Sequence, residues 1–272
     1  MKKWTLVVGA SCIFVAPLAL AANSSILNAN NEVGVYANGQ LFNYQENITP
    51  GPSDTESGWT PGFGLKGSYM GDLLGVHNAY AALHYQYNGG TIKYMGAVAS
   101  GGTISPYDTV DHTNNYRLTA RVGEGLSLTS RSMITPYVEG GYQHWNRSFP
   151  GVYGYAESYS AGLIGAGAKY QYAFSNRLVG QLNGSVLAVV GGGMTPTSPL
   201  DGLDFGSASF GGSAEENIGA SVDYRIDGPL HLFGGLSYTH YTYSGGPLAY
   251  GAREPSSQTN MMNIYGGLAY TF

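Results

Sequence analysis

The chain has 272 residues, of which 43% are apolar and only 11% charged, with a formal charge of −5 and one cysteine, Cys12. So low a charged share, against the usual ~25%, does not fit an ordinary soluble domain, and the acidic balance argues against a nucleic-acid partner. A lone cysteine excludes an intrachain disulfide, and no segment after Ala21 approaches the ~18 continuous apolar residues of a spanning helix.

Residues 1–21 read as a secretory signal: Lys2 and Lys3 supply the positive start, Trp4 to Leu20 the apolar stretch, and Ala19-Leu20-Ala21 the cleavage site. Gly9, three residues before Cys12, stands where a lipoprotein anchor wants a bulky aliphatic residue, so no lipidation is expected. Cleavage after Ala21 removes the cysteine and both lysines, taking the charge from −5 to −7. The mature chain then has no thiol for metal binding or nucleophilic chemistry.

Ten segments alternate with period two over the ~9–11 residues that a tilted transmembrane strand needs. They lie near 32–46, 58–71, 77–88, 113–127, 134–147, 156–173, 177–190, 214–227, 229–244 and 258–272. Short turns separate them in alternation with long connections near 47–57, 89–112, 148–155, 191–213 and 245–257. Tight periplasmic turns and long external loops are the habit of membrane barrels. The fold expected for residues 22–272 is therefore all-β: a closed, antiparallel, up-and-down transmembrane barrel of ten strands. One hairpin fewer would give eight strands, and a further pair within 91–99 would give twelve.

Apolar and charged side chains sort onto opposite faces of these strands. Tyr116, Leu118, Ala120 and Val122 alternate with Arg117, Thr119 and Arg121; Ile218, Ala220, Val222 and Tyr224 alternate with Asn217, Ser221, Asp223 and Arg225. A basic side chain on the lipid face at midplane costs about 2–4 kcal/mol, so the charged face must line the lumen. The expected lumen charge network is Lys66, Arg117, Arg121, Glu139, Glu157, Lys169, Asp223 and Arg225. Glu124 breaks the pattern and is expected on a bulge beside Gly125 or beyond the bilayer. Aromatics gather toward two rims, with Tyr69, Tyr170, Tyr172, Tyr224, Tyr270 and Phe272 at one and Tyr85, Tyr87, Tyr116, Tyr142 and Tyr238 at the other.

Two loop segments share a pattern: Ser105-Pro106-Tyr107-Asp108-Thr109-Val110-Asp111-His112 and Ser198-Pro199-Leu200-Asp201-Gly202-Leu203-Asp204-Phe205. Ser-Pro opens a turn and Asp caps it, so paired turns are the simplest reading. Asp108, Asp111, Asp201 and Asp204 also form a candidate loop cation site, because carboxylates suit hard cations. The six histidines show no metal-binding spacing. There is no nucleophile elbow and no phosphate loop, so no catalytic residue, metal or cofactor is assigned.

The last strand carries Tyr265-x-Gly267-x-x-Tyr270-x-Phe272, which resembles the terminal signal that delivers bacterial barrels to their insertion machinery. With the signal peptide and tyrosine-rich hairpins, the chain resembles the small outer-membrane β-barrel superfamily of Gram-negative bacteria, the group of opacity-type proteins and the OmpA transmembrane domain. That resemblance implies a location in the outer membrane, with lipid, lipopolysaccharide and the insertion machinery as partners, together with an extracellular surface ligand. Unlike OmpA, the chain has no peptidoglycan-binding domain after the last strand. The expected function is a non-enzymatic barrel with a side-chain-filled lumen, structural or adhesin-like. Two alternatives stand beside it: a narrow porin-like channel, and an omptin-like rim hydrolase using Asp108, Asp111 and His112.

Overall fold

The computed structural model describes residues 24–48, 53–100, 103–151, 154–196 and 206–272. The expected signal peptide lies outside them, as do Asp201 and Asp204. Ten long strands follow in chain order: β1 (Glu32–Asn47), β2 (Thr55–Leu73), β3 (Val76–Ser100), β4 (Thr103–Glu124), β5 (Ser132–Ser148), β6 (Ala156–Ala173), β7 (Leu178–Pro196), β8 (Ser213–Asp227), β9 (Leu230–Tyr243) and β10 (Ser256–Thr271). Each pairs antiparallel with the next, and β10 closes on β1 in continuous register from Glu32↔Thr271 to Asn47↔Ser256. The result is a closed ten-stranded up-and-down barrel, which leaves the cylinder itself no lateral edge.

Alternation explains both surfaces. Val35, Leu65, Val122, Val138, Ile164, Val186, Ile218, Leu236, Ile264 and Leu268 all point out and are exposed, forming an apolar belt. Their neighbours of opposite parity are buried inside, among them Gln40, Thr119, Glu139, Lys169 and Asn263. A soluble protein would not present so broad an apolar surface to water, whereas acyl chains cover it at no cost. Above the belt, at the end of the long connections, the outward positions become polar: Asn43, Ser57, Lys93, Asn114, Asn146 and Asn260. That end projects beyond the bilayer.

The turns at the opposite end are tight. Leu74 and Gly75 join β2 to β3 with φ values of 51° and 85°, the twist that a two-residue hairpin requires. β4 stops at the exposed Glu124, and the Gly125 amide donates to the Asn78 carbonyl at 2.9 Å. Glu124 therefore stands at the rim, and a short strand, Leu126–Thr129, resumes the ladder against β5.

Two features depart from the sequence reading. The segment 89–112, expected as a loop, is mostly paired strand: β3 and β4 stay in register from Ala79↔Glu124 to Ser100↔Thr103. Alternation continues there (Ile92 and Tyr94 in, Lys93 and Met95 out), so the ladder persists after the membrane ends. The second is a short helix, α1 (Ser24–Asn28), which carries Ile26 into the lumen at the tight-turn end.

Candidate functional site

The lumen is the one interior that the barrel encloses, and its side chains fall into three levels. At the tight-turn end, Ile26 of α1 packs among Met70, Tyr80, Met133, Tyr137 and Val179. Asn30 and Asn31 fasten this closure. The Asn31 side chain donates to the Met70 carbonyl at 2.8 Å and accepts from the Met70 amide at 2.9 Å. Asn30 donates to the Ile26 carbonyl at 2.9 Å and to Gln171 at 2.8 Å, and accepts from Lys169 Nζ at 2.6 Å.

The middle level encloses a cavity of about 220 Å³. Its wall carries Arg117, held by both guanidinium nitrogens to Glu215 at 2.6 and 2.5 Å. Arg121 lies 3.1 Å from Glu139, and Lys66 pairs with Glu32 at 2.5 Å. Amides complete the ring, with Asn115 donating to Gln40 at 2.8 Å and Gln86 to Asn263 at 3.0 Å. Each buried cation with a carboxylate partner is thereby neutralised locally, as low dielectric demands.

The external level fills the other end with aromatic rings and charge. Phe42, Tyr44, Trp145, Tyr159 and Tyr243 stack across the bore, Trp145 lying 4.9 Å from Tyr44 and 4.7 Å from Tyr159 between ring centroids. Above them Arg147, only 2% exposed, meets three carboxylates: Glu157 at 2.6 Å, Glu56 at 2.7 Å and Glu46 at 3.0 Å. Aromatic faces surround its guanidinium, Phe149 at 5.2 Å and Tyr44 at 5.3 Å, a setting that favours Arg over Lys. Acids outnumber this cation. Burial pushes Glu46 up to about 7 against the pull of Arg147. Burial, then the nearby Glu157 and Glu46 carboxylates, push Glu254 up to about 8.

The sequence-predicted charges do not form one network. Lys66, Arg117, Arg121, Glu139, Glu157 and Asp223 enter separate pairs, Asp223 with His231 at 2.6 Å. Lys169 has no carboxylate partner among the described residues. Asn30 and the Tyr80 ring, 3.7 Å from its ammonium, hold it instead. Arg225 sits half-buried near the tight-turn rim and makes no ion pair among the described residues. The partners that sequence reading missed are Glu32, Glu46, Glu56, Arg147, Glu215 and His231. Strand parity would have found them: Glu32 and Glu46 share the inward face of Gln40, and Arg147 that of Glu139.

Of the candidate loop cation site, Asp108 and Asp111 fall among the described residues, and their side chains do not converge. Ser105–His112 is strand, and Asp108 and Asp111, three residues apart, point to opposite faces. Asp108 is exposed, while Asp111 is fully buried and accepts from the Ser148 amide at 2.7 Å. The same alternation separates Asp111 from His112, whose ring meets Thr91 outside at 3.1 Å. These three side chains therefore assemble no common centre. Of the C-terminal motif, Tyr270 and Phe272 are exposed at the rim. Tyr265 points inward, 5.6 Å from Tyr36. Gly267 lets Tyr36 approach, because any Cβ there would run into the Val35 carbonyl and Tyr36.

No protein-family model and no curated protein sequence matches the chain. Among solved structures it is similar to the outer membrane protease OmpT from Escherichia coli, at 9% identity over 89% of this chain and 95% of that one, with a TM-score of 0.53. It is also similar to the transport unit of the Escherichia coli autotransporter AIDA-I, at 10% identity over 96% and 94%, with a TM-score of 0.52. The attachment invasion locus protein Ail of Yersinia pestis aligns over 89% and 99% at 12% identity, with a TM-score of 0.35. The fold is that of the transmembrane β-barrels of Gram-negative outer membranes. Its particular form here is a ten-stranded barrel whose lumen carries an α-helical closure at one end and an aromatic, acid-rich closure at the other.

Proposed function

We propose that this protein is a non-enzymatic outer-membrane barrel with a closed lumen, acting at the cell surface through its external strands and loops. The observation that carries the reading is the double closure: α1 with Met70 and Tyr80 below, and the Trp145–Tyr159 stack with Arg147 above. Helix, rings and paired charges occupy the places where a pore needs water. The belt and the two aromatic rims support a lipid environment, including lipopolysaccharide, reached through the barrel-insertion machinery. In this family-level reading the chain is an architectural relative of the opacity-type barrels.

The surface available to an extracellular ligand is the β3–β4 arm. β4 pairs with β5 only from Asn114 onward, so among the described residues the backbone of 108–113 has no strand ladder on that side. Met95, Ile104 and Val110 are exposed on this arm. Such an edge is a template for strand addition by a partner. Single-cysteine labelling tests the orientation, because Cys12 leaves with the signal. On intact cells, Val110→Cys is expected to react with a membrane-impermeant maleimide and Leu74→Cys to stay unlabelled; the reverse pattern would invert the topology. Planar-bilayer recording tests the closure: steady openings by the purified barrel would overturn it.

A narrow channel is the second reading, favoured by the 220 Å³ polar cavity between the two closures. Removing Ser24–Asn28 together with Arg147→Ala would then give conductance, with an ion preference altered by Glu139→Gln.

A further inference from the structure

We propose that Glu32, Asp223 and His231 form a binding site for a first-row divalent cation of the zinc class. The three side chains come from β1, β8 and β9 and meet inside the barrel near the tight-turn end. Each offers a donor atom within 4.8 Å of the other two. Glu32 and His231 are each 3% exposed. Glu32 Oε2, Asp223 Oδ2 and His231 Nε2 are all buried with no hydrogen-bond partner in the protein. Three unsatisfied polar atoms on one buried cluster are costly unless something satisfies them.

The charges point the same way. Glu32 and Asp223 bring two negative charges, and among the described residues the cation paired to them besides His231 is Lys66, bonded to Glu32 at 2.5 Å and lying 3.4 Å above the Phe233 ring. Neutral imidazole leaves the group one positive charge short, and a dication more than supplies it. One nitrogen and two carboxylate donors select zinc or its first-row neighbours over calcium or magnesium, which prefer all-oxygen shells. Bonds of about 2.0–2.2 Å put donors ~3–3.5 Å apart, so small side-chain rotations close the observed spacing. Glu32 and Asp223 border the central cavity, which leaves space for a water to complete the shell. The competing account is two ion pairs, Lys66–Glu32 and protonated His231–Asp223, with no metal.

The test uses the folded, chelator-stripped barrel in detergent, titrated calorimetrically with ZnCl₂. One site is expected. His231→Gln and Asp223→Asn should each weaken it by at least tenfold, while Asp108→Asn leaves it unchanged. Cobalt supplies a second reading: the wild type should give visible d–d absorption that His231→Gln abolishes. Folding of each variant is checked by the mobility difference between unheated and boiled samples on SDS gels. If one variant fails to fold, ZnCl₂ should still raise the unfolding temperature of the wild type and not that of Glu32→Gln. No stoichiometric binding at millimolar ZnCl₂, or equal affinity in all the variants, would overturn the proposal.

Discussion

Arg147 is where the external closure can be broken with one substitution. Its guanidinium reaches Glu46, Glu56 and Glu157 within 3.0 Å, and Glu56 Oε2 already has no hydrogen-bond partner. Arg147→Met keeps most of the volume and removes the cation that pairs with these acids, leaving several buried carboxylates facing one another. Breaking a buried pair from one side costs roughly 3–5 kcal/mol, and the upper half applies here because three acids lose their partner together. The cost should depend on pH. Glu46, near 7, and Glu254, near 8, titrate above their ordinary range, so the native state binds more protons than the unfolded chain across that interval. Stability then falls as pH rises from about 4.5 to 8. Without Arg147 the acids hold their protons more firmly, so the penalty is smallest at pH 5 and largest at pH 9. Arg147→Lys should fall between wild type and Arg147→Met, since one ammonium cannot fork to three acids. The assay is urea unfolding in lipid vesicles, followed by tryptophan fluorescence in a Trp59→Phe background. Trp145, 5.7 Å from the guanidinium, is then the reporter among the described residues. A loss below about 1 kcal/mol at pH 9, or one that does not change between pH 5 and 9, would refute this account.

Other substitutions probe the remaining levels. Asn30→Ala strips Lys169 of its 2.6 Å acceptor and α1 of its tie to Gln171; a loss of about 1–3 kcal/mol in the same unfolding assay is expected. Ile164→Lys, at the centre of the exposed belt, should cost ~2–4 kcal/mol in bilayers, and a neutral result would deny that lipid covers this face. Gly267→Val puts a branched side chain against Tyr36 and the Val35 carbonyl. It should stop the β1–β10 closure, seen as loss of the fast-migrating folded band in unheated samples. Phe272→Asp removes an exposed rim aromatic and should lower the surface-exposed fraction in the maleimide assay.

Much of this architecture is legible residue by residue because a barrel enforces one rule along its whole length. Leu118, Val122, Ile218 and Val222 were expected outward from parity alone, and all are exposed. Ten strands followed from where turn residues fall. The expected boundary at 89–112 failed for a physical reason: alternation tells a strand from a turn, but it does not tell where lipid gives way to water, and β3 and β4 simply continue. The closure by α1 left little trace, since Ser24-Ser25-Ile26-Leu27-Asn28 is too short to show a helical period. Its stability comes from tertiary contacts of Ile26 and Asn31 with strands far along the chain.

Pairing inside the lumen was the least legible level, and the reason bears on function. Parity says which side chains face the bore, but partnership depends on the height at which strands far apart in sequence meet across it. Arg117 and Glu215 come from β4 and β8, and Arg147 and Glu46 from β5 and β1. A hydrated pore could leave such groups solvated singly. Here Arg117, Arg121, Lys66 and Arg147 each bond directly to a carboxylate at 3.1 Å or less. Arg147 is 2% exposed and sits between aromatic faces. Water-filled bores favour loose, solvated charge, so tight pairing beside stacked rings supports the proposed closed reading. Opening this barrel would therefore mean breaking the Arg147 layer and withdrawing α1 together, and the double variant separates the closed reading from the channel reading.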